Sequence, residues 1–247
     1  MTVRARIALV TGGSRGIGAA TVTTLAAQGW DVALSYRERA DIAEDVADSC
    51  RQLGRRALTV RADMGSEDDI LGLFSQIDRE LGPLTGLVNN AGIVSPASRV
   101  ADYSASRLAK VFTVNVTGAF LTAREALRRM EISRGGSGGV IVNVSSRAAN
   151  LGGSGEYVDY AASKAAIDAM TVGLAKEAAA DGVRVAGVSP GLIRTEIHAP
   201  GRLERLGSSP PLGRPGEPQE VANAIAWLMS DEASYVTGTT LEVSGGR

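Results

Sequence analysis

The sequence predicts an α/β protein, a doubly wound, mostly parallel sheet of seven strands with helices on both faces. Three observations lead there. Short β-branched runs alternate with longer segments of helical periodicity along the whole chain. The strand runs are continuously apolar, as strands buried on both faces must be. Many of the 30 glycines sit where strands should give way to helices. Crossovers between parallel strands are right-handed, which winds helices onto both sides.

Residues 7–10 form the first strand, 21–28 belong to a helix, and 31–35 form the second strand. In the next helix Ile42, Val46, Cys50 and Leu53 recur at helical spacing, so Cys50 is expected in the core. Gly54 ends it. Residues 57–60 form strand three. Ser66 is a helix cap with Glu67, Asp68 and Asp69 in the first turn, where carboxylates favour the positive dipole end. Ile70, Leu73, Phe74, Ile77 and Leu81 make the buried stripe, and Gly82-Pro83 stops the helix. Strands follow at 84–88 and 140–144, separated by a long helical stretch over about 104–131. A helix over 155–181 closes at Gly182 before strand six at 183–188. Pro218 suits the first position of the last helix, and Thr240–Val243 is the last strand.

Composition narrows the function. The 247 residues suit a single domain, 1–247, with 44% apolar and 21% charged residues, ordinary for a globular protein. A net charge of −1 offers no basic excess, so nucleic acid is not an expected partner. Cys50 is the one cysteine, so no intrachain disulfide forms. The apolar run behind the N-terminal arginines is too short for a signal peptide, and no stretch approaches the ~20 apolar residues of a membrane span. A cytoplasmic protein is expected, with no membrane partner and no metal site. Residues 199–217 are rich in Pro, Gly and Ser, and the segment over about 192–217 reads either as a substrate lid or as a long connection.

Directly after strand one comes Thr11-Gly12-Gly13-Ser14-Arg15-Gly16-Ile17-Gly18, then a helix. A pyrophosphate needs exposed backbone N–H groups at the positive end of a helix dipole, and glycine lets it approach. The spacing is not the G-x-G-x-x-G fingerprint. It resembles the short-chain dehydrogenase/reductase family, whose loop is T-G-x-x-x-G-x-G. The resemblance runs from Thr11 to Gly246 and includes Asn89-Asn90-Ala91-Gly92 and Tyr160-Ala161-Ala162-Ser163-Lys164. It implies a Rossmann-type sheet, a nicotinamide cofactor, and hydride transfer to or from a carbonyl or alcohol carbon. The chain is similar to the 3-oxoacyl-carrier-protein reductases and the glucose or polyol dehydrogenases of that family.

Strand two ends in Ser35-Tyr36-Arg37, with no carboxylate at its tip to bind a ribose 2′-OH. Arg37 and Arg15 together suit a 2′-phosphate. NADP is therefore expected over NAD, although Arg37 also reads as a loop arginine paired with Glu38, and Glu38 itself suits NAD. Asp63 matches the family aspartate on the adenine, with Met64 beside it, and reads equally as a turn residue. By resemblance Ser14, Ile17, Asn89, Ala91 and Gly92 line the cofactor. Pro190 and Gly191, with the Ile193 backbone and the Thr195 side chain, lie beside the nicotinamide.

Tyr160 and Lys164 are one helical turn apart and so share a face. A free tyrosine has a pKa of ~10. A fixed ammonium favours the phenolate, so the Tyr160 pKa is expected to be lowered, making it a general acid or base. Ser146, at the end of strand five, is the matching substrate-binding serine, with Ser145 as the alternative. Asn115 matches the family asparagine that holds a water between Lys164 and solvent. Three other readings are weaker. A cofactor-sensing protein without chemistry would have no need of Ser146, Tyr160 and Lys164 together. A sugar-nucleotide epimerase would carry a larger C-terminal substrate domain. A serine hydrolase lacks its nucleophile elbow, and the one histidine, His198, reads as a surface residue. The substrate is a small carbonyl or alcohol: a 3-oxoacyl thioester, a sugar or polyol, or another ketone. Arg202 and Arg205 either meet an anionic phosphopantetheine or are solvated, and Leu192, Leu203 and Leu206 are candidates for an apolar lid. The Ala-, Ser- and Gly-rich helix beginning near Tyr160 permits close pairing, and the resemblance implies a homotetramer.

Overall fold

The structure, a computed structural model, describes residues 6–247. Residues 1–5, within the N-terminal segment read as lacking a signal peptide, lie outside the described residues. In chain order the elements are β1 (Ile7–Val10), α1 (Gly16–Ala27), β2 (Asp31–Tyr36), α2 (Ala40–Gln52), β3 (Ala57–Arg61), α3 (Glu67–Glu80) and β4 (Gly86–Asn89). Next come α4 (Ala105–Phe112), α5 (Gly118–Met130), β5 (Gly139–Val144), α6 (Ala148–Leu151) and α7 (Val158–Ala178). β6 (Val183–Pro190), α8 (Arg202–Leu206), α9 (Pro218–Met229) and β7 (Thr240–Val243) complete the fold.

The sheet has seven strands in the order β3-β2-β1-β4-β5-β6-β7. Every pairing among them is parallel, including the last, β6 with β7. The chain winds outward from β1 to β3 and then returns to the other side of β1 for β4. That reversal opens a crevice at the carboxyl ends of β1 and β4, where ligands bind in such sheets.

The strand period of two divides the core. Ile7 and Leu9 of β1 face a cluster with Phe74, Ile77, Met130 and Ile141, while Ala8 and Val10 face another with Val22, Leu25, Val221 and Ile225. Helices α3 and α5 cover the first face, and α1, α2 and α9 the second. Cys50 is buried in the second cluster, as its spacing predicts, and burial pushes its thiol up to about 11. Ser66 caps α3 by accepting from the Asp69 N–H at 3.2 Å.

Three segments depart from expectation. The stretch over 104–131 is two helices joined by a π turn at Thr113–Thr117, and that turn carries Asn115. The helix expected from 155 begins at Val158, because Gly152, Gly153 and Gly155 take positive φ and turn the chain ahead of it. The 192–217 segment carries the short helix α8, and its two ends are stapled together: Gly216 N–H donates to Leu192 O and Arg194 N–H to Gly216 O, both at 2.9 Å.

Candidate active site

The glycine loop leaves β1 and turns under α1. Gly12 and Gly16 have φ of +63° and +53°, which other residues adopt only under strain. At Gly18 a Cβ would lie 2.2 Å from Gly12 O, so loop and helix touch only because that side chain is missing. Asn90 ties the loop to β4: its Nδ2 donates to Thr11 O at 2.8 Å and Gly12 O at 3.1 Å. Thr11 Oγ1 accepts from the N–H groups of Asn90 and Ala91. Asn90 was not among the expected cofactor residues; its side chain holds the shape of the loop. Asn89 is buried and donates to Ala119 O at 2.9 Å, so it braces the sheet against α5.

Helix α1 starts at Gly16 with no side-chain cap and no acidic residue in its first turn. Its first N–H groups are therefore orphan donors at a positive dipole end, which fits a pyrophosphate. Ser14 and Ile17 lie on this loop, and Ile17 also reaches the cleft.

At the adenosine end, Arg37 Nε lies 3.4 Å from Asp63 and 3.9 Å from Glu38. Arg15 faces Glu196 at 3.9 Å. The two arginines expected to share one phosphate are thus each turned to a different carboxylate. Arg61, which sequence reasoning missed, donates from Nε to Arg37 O at 3.2 Å and brings another guanidinium to the same place. Asp63 Oδ1 accepts from Gly65 N–H at 2.8 Å, which is the turn role. The Met64 side chain is buried below α5, close to Thr122. Tyr36 packs on the core at the end of β2.

The chemistry-bearing residues meet at the ends of β5 and β6. Ser146, Tyr160, Lys164, Gly92, Pro190, Gly191 and Ile193 all line one cleft of about 660 Å³. Lys164 is buried; its Nζ donates to Val144 O at 2.8 Å and lies 5.8 Å from the Tyr160 ring centroid. Burial lowers the Lys164 pKa to about 8. Tyr160 goes against expectation: burial raises it to about 12, and only the Ser146 hydroxyl pulls the other way. Desolvation of the phenolate sets the direction of the shift. The two serines separate cleanly. Ser145 is buried and donates to Lys164 O at 3.1 Å, whereas Ser146 faces the phenol.

Asn115 is saturated by partners outside its own helix. Oδ1 accepts from Ile93 N–H at 2.8 Å, and Nδ2 donates to Ile93 O at 2.9 Å and Ser163 Oγ at 3.0 Å. Gly92 lies between Asn115 and the Lys164 ammonium; a Cβ there would be 3.5 Å and 3.4 Å from them.

Sequence reasoning missed the clamp at the start of α7. Asp159 is paired with Arg107 at 2.7 Å, accepts from Tyr103 OH at 3.2 Å and from Tyr160 N–H at 2.9 Å. Burial would raise its pKa, but Arg107 and the Tyr160 N–H hold it below the usual value. Tyr103 and Arg107 lie 56 and 52 residues from Asp159 in sequence, and no local pattern joins them to it.

Segment 192–217 also differs from its reading. His198 is half-buried on the cleft wall, with Nε2 2.9 Å from Ile193 O, and burial lowers its pKa. Arg202 is neither solvated nor free: it bonds the Glu156 carboxylate and the Tyr157 hydroxyl, and its guanidinium stacks on the Tyr157 ring at 4.8 Å. Arg205 meets Glu156 at 3.2 Å. Leu192 and Leu206 line the cleft, and Leu203 is not among its lining residues. Thr195 packs beside Gly16, joining this segment to the glycine loop.

A parallel sheet with an uncapped helix at its switch point, and a tyrosine, a lysine and a serine over it, defines a dehydrogenase or reductase working on alcohol or carbonyl groups. The chain belongs to the short-chain dehydrogenase/reductase family. The family described as enoyl-(acyl carrier protein) reductase matches residues 12–247. Uncharacterized oxidoreductase YgfF of Escherichia coli (strain K12) is 51% identical over 98% of this chain and 99% of its own. Cis-4-hydroxycyclohexanecarboxylate dehydrogenase of Sinomonas cyclohexanicum is 40% identical, covering 98% and 96%. A short-chain dehydrogenase from Burkholderia cenocepacia J2315, crystallised with NADP, superposes with a TM-score of 0.91 at 34% identity over 98% and 97% of the two chains.

Proposed function

We propose that the protein is an NADP(H)-dependent oxidoreductase that interconverts a ketone or aldehyde and an alcohol on a small substrate. The observation that carries this reading is the meeting of Tyr160, Ser146 and Lys164 in one cleft beside the uncapped N-terminus of α1. When bound, NADP(H) supplies the hydride in reduction and takes it up in oxidation. The loop Gly12 to Gly18 would hold its pyrophosphate, and Arg37, Arg61 and Arg15 its 2′-phosphate. Tyr36, Asp63 and Met64 would flank the adenine, with Asn89, Ala91 and Gly92 close by. Pro190, Gly191, Ile193 and Thr195 would flank the nicotinamide, and Lys164 its ribose.

In reduction the Tyr160 hydroxyl donates its proton to the substrate oxygen, and Ser146 donates a hydrogen bond to the same atom. Holding two reactants in one cleft removes much of the entropic barrier. Asn115 positions the backbone at Ile93 and Gly92 around Lys164. Preference for NADP rests on three arginines at the adenosine end and on the NADP-bound relative; Glu38, beside Arg37, is the feature favouring NAD. We place the protein in the cytoplasm and read it as a homotetramer. Among the described residues no helix is long and apolar enough to cross a membrane.

The test is a turnover screen of ketoacyl thioesters, sugars and cyclic ketones with NADPH and NADH. Tyr160→Phe is expected to lower kcat by about 10²–10⁴ with cofactor binding kept. Turnover unaffected by that change overturns the proposed chemistry, and a clear preference for NADH overturns the cofactor assignment.

A further inference from the structure

We propose that the cleft contains an anion subsite built on Arg247, and that the substrate carries a carboxylate on an apolar skeleton. This rests on the reading of the cleft as the active site and goes on to name its substrate class. Around the reacting corner the wall is largely aliphatic, with Val94, Pro96, Leu151, Leu192, Ile197 and Leu206. Four charged side chains other than Lys164 line the same cleft: Arg147, Glu156, Arg202 and Arg247. Their pairing decides which of them is available to a ligand.

Arg202 is spent on Glu156 and Tyr157, and Arg205 adds a second cation to that carboxylate. Arg147 bonds Glu242, and its Nε donates to Arg247 O at 2.7 Å. Arg247 N–H meets Ser244 O at 3.4 Å, so the backbone of this residue is held at two points. Its guanidinium is different. Among the described residues the arginines of this wall find acids at Glu156 and Glu242, and Arg247 makes no ion pair. It faces the cleft from the side of Tyr157 and His198. Burial raises the first and lowers the second, and the Arg247 charge counters the one shift and adds to the other.

The Arg247 guanidinium is partly open to solvent and has no acidic side chain as partner among the described residues, so a carboxylate bound through two parallel N–H···O bonds needs to displace only water from it. Solvent exclusion by the substrate's own apolar body strengthens that pair. The neighbouring arginines Arg147 and Arg202 are each already engaged by an acid, so an incoming anion meets Arg247 without breaking an existing pair.

The experiment compares a cyclohexanone bearing a carboxylate with its methyl ester, on the wild-type protein and on Arg247→Gln and Arg247→Lys. Expected is a kcat/KM at least tenfold higher for the acid, a ratio that falls towards one in Arg247→Gln and is partly kept in Arg247→Lys. In parallel each compound is titrated into Tyr160→Phe protein, with and without NADPH, which needs no turnover. Acid-selective binding that depends on Arg247 sustains the subsite even if no ketone is reduced, and then it is the oxidoreductase reading that fails. Equal binding of acid and ester, or selectivity that survives Arg247→Gln, overturns the subsite and leaves the oxidoreductase reading standing.

Discussion

At the scale of single residues, burial rather than charge pairing governs the catalytic corner. Lys164 illustrates the sign. Its pKa of about 8 in the fold lies below the ordinary lysine value of 10.5. Below about pH 8 the group is charged both folded and unfolded, and the cost of burying an ammonium is present in full. Between about 8 and 10.5 the unfolded chain binds more protons, so this residue's contribution to stability rises with pH. Lys164→Met is therefore expected to lose turnover without lowering Tm at pH 7, and the stability gap between the two proteins should change in the wild type's favour above pH 8. Thermal melts of both across pH 6–10 check it; a large drop in Tm at neutral pH would mean that the lysine is structural. Tyr160, raised to about 12, stays protonated through this range and so carries the proton that reduction requires. The serines offer a second check. Ser146→Ala should lower kcat about 10²-fold by removing a donor to the developing oxyanion. Ser145→Ala should instead cost about 1 kcal/mol of stability through the lost bond to Lys164 O. Steady-state kinetics and urea unfolding of the pair separate these roles.

At the scale of elements, the position of Tyr160 depends on where α7 begins. Its first turn is held by the Asp159–Arg107 pair, which joins α7 to α4, and both side chains are buried or nearly so. Arg107→Met leaves the Asp159 carboxylate buried and unpaired, and is expected to cost about 3–5 kcal/mol. Asp159→Asn keeps an acceptor for Tyr103 and Tyr160 and should cost less. Urea denaturation of each gives the order, and equal costs would argue against a role for the buried charge. The π turn at Thr113–Thr117 belongs to the same scale. It lies where Asn115 reaches the Ile93 backbone, and π turns are found often at functional sites. The helical periodicity of 104–131 is legible in the sequence, but the partner of Asn115 is not. The glycines at 152, 153 and 155 are legible as a turn, while the helix start three residues later follows from Tyr103 OH accepting the Val158 N–H at 3.0 Å.

At the scale of the whole molecule, two core clusters sandwich one sheet, and apolar side chains remain outside them. Leu108 and Phe112 of α4, Phe120 of α5 and Val172 of α7 are exposed. Exposed aromatic and aliphatic groups on neighbouring helices are the kind of surface through which chains associate. Self-association through these helices is the expected state, and sedimentation should find an assembly larger than one chain. A clean monomer at micromolar concentration would overturn that expectation.

The local patterns of this chain determined its elements, its parallel sheet, the glycine loop and the residue types of the reacting corner. They do so because strand and helix periods, caps and glycine turns are short-range properties written into adjacent residues. The tertiary structure alone decided which serine faces Tyr160, that burial lifts its phenol, that Arg202 is neutralised by Glu156, and that Arg247 comes to rest beside Arg147, 100 residues away in sequence. Proximity and desolvation of this kind arise only when distant segments pack, because the energy of a charge depends on what surrounds it in space.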